Sequence, residues 1–308
     1  MITSQQYGRL LEPGLRKVFF EEYNEIPEQF SQVFNVQSSN KAIETDFRMG
    51  GFGLFEKKDS AGSIQYAEPA GTTSLQYIHE EYAKGFTVER KMVDDEQYNQ
   101  INKLSANLGR AARATIETKS AEVLNNAFTT NGFDGVPLIS ATHKMLNGGT
   151  QSNRLAQTDG AGAADGALSD RNIKAGLVQM RRQKDDAGIL IQTQPKLLVV
   201  GPSLLYQAQT ILGSSTLSST GNGTNMTNDK NVLPNLRVVV LDYLTSSTSW
   251  FLVDPSVAQL NFFWRKKLEF ENDRDFNTKA FKYSAYMRFS VGYSDYRGIF
   301  GSLGSGAA

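Results

Sequence analysis

The run from Val93 to Phe128, VDDEQYNQINKLSANLGRAARATIETKSAEVLNNAF, predicts one uninterrupted helix over residues 94–128. Tyr98, Ile101, Leu104, Leu108, Ala112, Ile116, Val123 and Ala127 recur at three- and four-residue steps, and Lys103, Arg110, Arg113, Glu117 and Lys119 fall mostly on other faces. One side is therefore expected to be buried. Asp94, Asp95 and Glu96 would load the first turn with the negative charge that a helix N-terminus favours, and Asn131-Gly132 would supply the stop. At about 1.5 Å per residue the rod is roughly 50 Å long, whereas an average helix has about 11 to 12 residues. A rod of that length needs structure along it.

Composition limits the chemistry. A chain of 308 residues can hold two domains and a substantial core, and 32 basic residues balance 32 acidic ones, so net charge gives no general attraction to nucleic acid. There is no cysteine, which removes thiolate nucleophiles, disulfides and zinc ribbons, and His79 and His143 are the only histidines. No cofactor or metal is expected. The N-terminus lacks a basic-then-apolar signal segment and no run of about 18 apolar residues occurs, so a soluble chain made in the cytoplasm, without a membrane span, is expected. The sequons at Asn222 and Asn225 then read as chance matches in a polar loop.

Leu11, Leu15, Val18, Phe19 and Tyr23 give a short amphipathic helix before Pro27, an arm that needs a surface to lie on. Residues 42–55 and 64–88 alternate around the polar turn 56–62, which reads as a long two-stranded excursion. An isolated hairpin is marginal in water, yet this one carries Phe47, Phe52, Phe55, Tyr66, Tyr77 and Tyr82, so its apolar residues should dock elsewhere, including on another chain. Residues 130–166 read as loop with short strands. Ser169 caps a helix through about Ala187 that Gly188 ends, Leu197–Val200 is a buried strand, and Gly201-Pro202 opens a helix closed by Gly213. The polar run 214–230 reads as surface loop. Arg237–Leu241 and Trp250–Val253 are buried strands, Asp254-Pro255 marks the return to a sheet beside the long helix, and the last fifty residues alternate as long antiparallel strands.

No catalytic set emerges. Gly50-Gly51-Phe52-Gly53 lacks the remainder of a phosphate-binding turn, and His79-Glu80-Glu81 lacks a second histidine and reads as a solvated strand edge. Asp159 and Asp165, in a Gly/Ala run, lack the bidentate glutamate of a calcium loop. Asp185-Asp186 reads as a solvated pair, and Glu269, Glu271, Asp273 and Asp275 are interleaved with Arg265, Lys266, Lys267, Arg274 and Lys279, which favours ion pairing over a carboxylate dyad. Phe262, Phe263, Trp264 and Arg265 lack the positive stripe needed to stack single-stranded nucleic acid.

Several phrases, in this order, resemble the major capsid proteins of tailed bacteriophages, especially the Mu-like major head subunit group. They are Gly14-Leu-Arg-Lys-Val-Phe-Phe-Glu-Glu-Tyr23, Gly85-Phe-Thr-Val-Glu-Arg-Lys-Met-Val-Asp-Asp95, Val123-Leu-Asn-Asn-Ala-Phe128 and Asp134-Gly-Val-Pro-Leu-Ile-Ser-Ala-Thr-His143. Gln183-Lys-Asp-Asp-Ala-Gly188, Pro195-Lys-Leu-Leu-Val-Val-Gly-Pro202 and Arg288-Phe-Ser-Val-Gly-Tyr-Ser-Asp-Tyr-Arg-Gly298 continue it. The resemblance implies an α+β chain with the Hong Kong-type capsid fold. Residues 1–41 would form an N-terminal arm and 42–93 an extended β-hairpin loop. Residues 94–194 and 256–308 would form a peripheral domain around the spine helix 94–128, and 195–255 an axial domain.

Such a resemblance implies self-assembly into pentamers and hexamers that form an icosahedral shell around double-stranded DNA, bound without sequence specificity, in a virion. Its partners would be other copies of itself, a scaffolding protein, a portal and decoration proteins. Nothing before residue 40 resembles the helical scaffolding segment of some members, and Met1 favours a separate scaffold. Contacts between subunits are expected at Phe19, Phe47, Phe52, Phe55, Lys57, Lys58, Tyr66, Tyr77, Trp264 and Arg265. Lys57-Lys58 invite comparison with relatives that crosslink a loop lysine, although two lysines at a hairpin tip also simply discourage edge pairing. The alternatives are an encapsulin-like compartment shell and, from a different class, a secreted β-rich polysaccharide-binding or hydrolytic protein.

Overall fold

A computed structural model describes residues 4–55, 57–58, 66, 72–155, 165–213, 216–218, 228–230, 233, 236–275 and 277–304. In chain order the elements are α1 (Ser4–Glu25), β1 (Asn35–Ser38), β2 (Ile43–Met49), β3 (Thr72–Ile78), β4 (Glu80–Val88), α2 (Arg90–Asp94) and α3 (Tyr98–Asn125). Then come β5 (His143–Lys144), β6 (Thr150–Gln151), α4 (Asp170–Arg181), β7 (Leu197–Val200), α5 (Leu205–Gly213), β8 (Thr216–Ser218) and β9 (Asn228–Lys230). The chain closes with β10 (Arg237–Val240), β11 (Trp250–Val253), β12 (Leu260–Arg274), β13 (Phe281–Tyr293) and β14 (Ile299–Ser302).

Two four-stranded sheets carry the fold. The first has the order β1-β12-β13-β4, with β1 parallel to β12 and the remaining neighbours antiparallel. β13 arises from alternation: Phe281, Tyr283, Ala285, Met287 and Phe289 are buried, with Lys282 and Ser284 exposed between them, while β12 is interrupted by register shifts between Trp264 and Glu269. The buried face of α3, including Ile101, Leu108, Ala112 and Ile116, lies over this sheet, and α1 runs beside it with Leu15 and Phe19 in the same core. The second sheet, β10-β7-β11-β14, is covered on both faces. Leu198, Val200, Trp250 and Leu252 meet α4 and α5, while Val199, Phe251 and Val253 face the α3 side. Every residue of β7, β11 and β14 is buried, which explains the unbroken apolar runs of β7 and β11.

Several boundaries differ from those read in the sequence. The predicted rod 94–128 is shorter: a separate short helix α2 ends at Asp94, Glu96 takes φ 53°, and the spine α3 runs only from Tyr98 to Asn125. Asp94, Asp95 and Glu96 therefore form the turn before the spine and do not load its first turn, and the helix ends at Asn125, before Asn131-Gly132. Buried Val93 sets the break by pulling α2 into the core around Phe281 and Val88. The arm helix is 22 residues long and contains Pro13. α4 stops at Arg181 because Gln183 turns inward, where its Oε1 accepts from the amide of Gly298. The hairpin ladder ends at Ile78, and residues 80–88 belong to the first sheet. β14 pairs with β11, so the chain beyond residue 255 serves both sheets. Within the polar run 214–230, β8 and β9 pair antiparallel; the sequons at Asn222 and Asn225 lie outside the described residues. No helix among the described residues is long and apolar enough to cross a membrane.

Candidate functional site

β2 and β3 form a two-stranded ladder in which Ile43 pairs with Ile78, Glu44 with Tyr77, Asp46 with Leu75, Phe47 with Ser74 and Arg48 with Thr73. The two-residue period of a strand gives this ribbon two unlike faces. Glu44, Arg48 and Tyr77 share the inner face. The Tyr77 hydroxyl shares a hydrogen bond with the Ser294 hydroxyl at 2.6 Å, its ring packs 5.0 Å from Phe263, and burial raises its pKa. Arg48 reaches Asp186 with Nη2 at 2.7 Å and Nε at 3.1 Å. Ile43, Phe47 and Ile78 share the outer face and are 42%, 64% and 66% exposed.

Beyond the ladder, Phe52, Leu54, Phe55 and Tyr66 are exposed, Phe55 and Tyr66 almost completely, and Lys57 and Lys58 are exposed as well. The apolar surface of this hairpin therefore faces outward, as the sequence suggested for Phe47, Phe52, Phe55 and Tyr66. Two residues are corrected. Phe19 is fully buried, its ring 4.9 Å from Phe270, because α1 packs on its own subunit. Tyr77 is buried because its parity along β3 places it on the inner face. Trp264 and Arg265 are half-buried, with the Trp264 ring 4.9 Å from Phe262 and 5.6 Å from Phe289. Ile43, Ile78 and Leu54 were missed; the strand period, counted from Tyr77, places the first two on the exposed face.

At the hairpin root lies an open groove of about 620 Å³, lined by Tyr77, Ile78, Tyr82, Val123, Phe133 and Tyr293 among others, with Glu80, Lys119 and Glu122 at its rim. The other candidates for chemistry are structural. Asp185 caps its own turn through the amides of Ala187 and Ile189. Asp186 is buried rather than solvated, because it receives Arg48, Arg297 and the Leu146 amide. His79 is also buried, with Nδ1 at 3.0 Å from the Ser290 hydroxyl, where a solvated edge was expected. Asp165 pairs with Arg154, and Asp159 lies outside the described residues. Lys266–Glu269 at 2.6 Å and Lys282–Asp275 at 2.8 Å bear out the ion pairing read in the C-terminal strands. Among the described residues no three His, Cys, Asp or Glu side chains are grouped to hold a metal ion.

A long spine over a sheet, a second sheet buried on both faces and an outward-facing apolar hairpin describe a subunit made for contact. A family profile described as phage capsid protein matches residues 72–301, most of the chain. The chain belongs to the phage capsid protein family. It is a capsid shell protein of the virion. No curated protein matches it.

Solved structures resemble the capsid subunit in fold. The capsid of bacteriophage JBD30 decorated with minor capsid protein trimers gives a TM-score of 0.54 at 18% identity, covering 71% of this chain and 92% of that one. The capsid of cyanophage P-SCSP1u gives 0.56 at 11% identity, covering 89% and 86%. A virus-like particle from Pyrococcus furiosus gives 0.52 at 9% identity, covering 94% and 97%. These matches support the α+β Hong Kong-type capsid fold. The family profile does not favour the polysaccharide-binding or compartment alternatives.

Proposed function

We propose that the subunit assembles head to tail into pentamers and hexamers, which close an icosahedral shell around double-stranded DNA. One observation carries the reading: the hairpin uses its inner face on its own subunit and leaves Ile43, Phe47, Ile78, Phe52, Leu54 and Phe55 exposed. A monomer rarely keeps so large an apolar surface unless it is an interaction site. A projecting hairpin that docks on a different surface of the next subunit makes a heterologous contact, which generates a ring when its rotation closes. Many such contacts, each modest, sum to a stable shell.

The balanced charge of 32 against 32 agrees with DNA that is enclosed without sequence readout. Scaffolding, portal and decoration proteins are proposed partners, the last by analogy with the JBD30 capsid, which carries minor capsid protein trimers. Synthesis in the host cytoplasm completes the reading. The test replaces residues 50–71 with a two-residue turn and keeps β2 and β3. A folded, soluble variant that forms no particles under negative stain is expected; normal shells from it would overturn the hairpin's part in assembly, and a wild-type subunit that stays monomeric under all conditions would overturn the shell reading itself.

A further inference from the structure

The hairpin meets its own subunit at two separated places. Tyr77, near the root, is held by Ser294, Asn261 and Phe263. Its ladder partner is Glu44, and Arg48 lies four residues farther out along β2, about 13 Å at the usual rise of a strand. There the Arg48 guanidinium grips Asp186 with two nitrogens and lies between two rings, 5.4 Å from the centroid of Phe133 and 5.3 Å from that of Tyr296. Gly51 then passes the same turn so closely that a Cβ would stand 3.0 Å from Asp185 Oδ2. Between the two attachments is a cavity of about 390 Å³, lined by Asp46, Leu75, Phe133 and Ser294 among others. The ribbon is thus fastened at points rather than packed along its length.

What Arg48 grips connects the two sheets. Asp186 also receives Arg297 at 2.8 Å, and Arg297 pairs with Asp295 at 3.1 Å. Residues 294–298 link the end of β13 in the first sheet to the start of β14 in the second. All four side chains are largely buried, and two guanidiniums balance two carboxylates. A ribbon held only at Tyr77 would have a pivot; the second hold fixes its direction.

We propose that Arg48 is the positioning residue of the hairpin: it sets the angle at which the hairpin leaves the subunit and ties that angle to the linker between the two sheets. A change in how the sheets sit relative to each other is then transmitted to the exposed apolar tip. The consequence for particle shape rests on the shell reading above, whereas the pose of the hairpin is measurable on the isolated subunit.

The test is hydrogen exchange on isolated wild-type, Arg48→Met and Arg48→Lys subunits. Arg48→Lys keeps the charge balance but lacks the planar two-pronged grip, so it decides the matter if Arg48→Met does not fold. Peptides covering 43–49 and 72–76 are expected to exchange at least tenfold faster in Arg48→Met and by a smaller factor in Arg48→Lys, with β7 and β11 unchanged. Wild-type exchange in the hairpin of the folded variants would overturn the proposal. So would equal acceleration in β7 and β11 of Arg48→Lys, which marks a residue that only stabilises the body. Assembled Arg48→Lys subunits are expected to give particles of mixed diameter. Uniform wild-type shells built from subunits with a mobile hairpin would refute the link from hairpin angle to particle shape.

Discussion

Gly109 is a point of close approach between the arm helix and the spine. A Cβ built there would stand 2.4 Å from the Phe19 carbonyl oxygen, a backbone atom that cannot swing away, so only hydrogen lets α1 and α3 approach this closely. Helix propensity alone would favour alanine by about 1 kcal/mol, while overpacking in a filled interface costs about 1 to 3 kcal/mol. The steric cost should win because the obstructing group is main chain. Gly109→Ala is therefore expected to lower the denaturation midpoint and to loosen the arm, read as faster proteolysis within 4–25, and a raised midpoint would contradict the close crossing. The arm is fastened again where buried Glu117 accepts the amides of Gln29 and Phe30 at 2.9 and 3.0 Å, and where Arg113 meets Glu28 and lies 4.0 Å over the Tyr23 ring. In the sequence Arg113 and Glu117 read as positions mostly off the apolar face of the rod. Their burial was hidden because the apolar period marks the sheet-facing stripe and says nothing of a second helix on the flank.

Among the elements, the hairpin has a defined response to acid. Burial pushes the Asp186 carboxyl up, but the Leu146 amide and the Arg297 and Arg48 guanidiniums outweigh it and hold the group below the ordinary aspartate value of 3.8. A depressed carboxyl contributes stability that is present above the unfolded-state value and lost as pH falls through the folded-state one. Acidification below about 3.8 should therefore release the outer attachment of the ribbon. Hairpin amides are expected to lose protection there in the wild type and to show a flatter acid response in Asp186→Asn; identical acid profiles would deny the carboxylate that role. The elements themselves were largely legible in sequence. β7, β10, β11, the alternation of β12 and β13, and the Ser169 cap, whose side chain accepts from the Asn172 amide, follow from local pattern. What was not legible is how strands are shared between layers. Alternation in residues 80–88 looks the same whether the strand continues a free ribbon or edges a sheet, and β13, which decides between them, lies some two hundred positions away. The burial of Asp186 depends likewise on Arg48 and Arg297, which no local window contains.

For the whole molecule, the C-terminal part of the chain completes both sheets. β12 and β13 are the two central strands of the first sheet, where Asn35 pairs with Asn261 and Val88 with Phe281, and β14 adds the last strand of the second. A chain ended after Tyr293 lacks β14 and Arg297, so it should leave Trp250 and Phe251 poorly protected and the hairpin unfastened. Limited proteolysis of that truncation should cut within 237–253, and wild-type resistance there would show that β14 is dispensable. Seen through synthesis, the same topology acts as a clock. The exposed ribbon leaves the ribosome some two hundred residues before the strands, the Ser294 hydroxyl and the Arg297 side chain that hold it in place. A growing chain consequently cannot hold the ribbon in its folded orientation until Ser294 and Arg297 have emerged, so the pose of the hairpin is set only after both sheets can form.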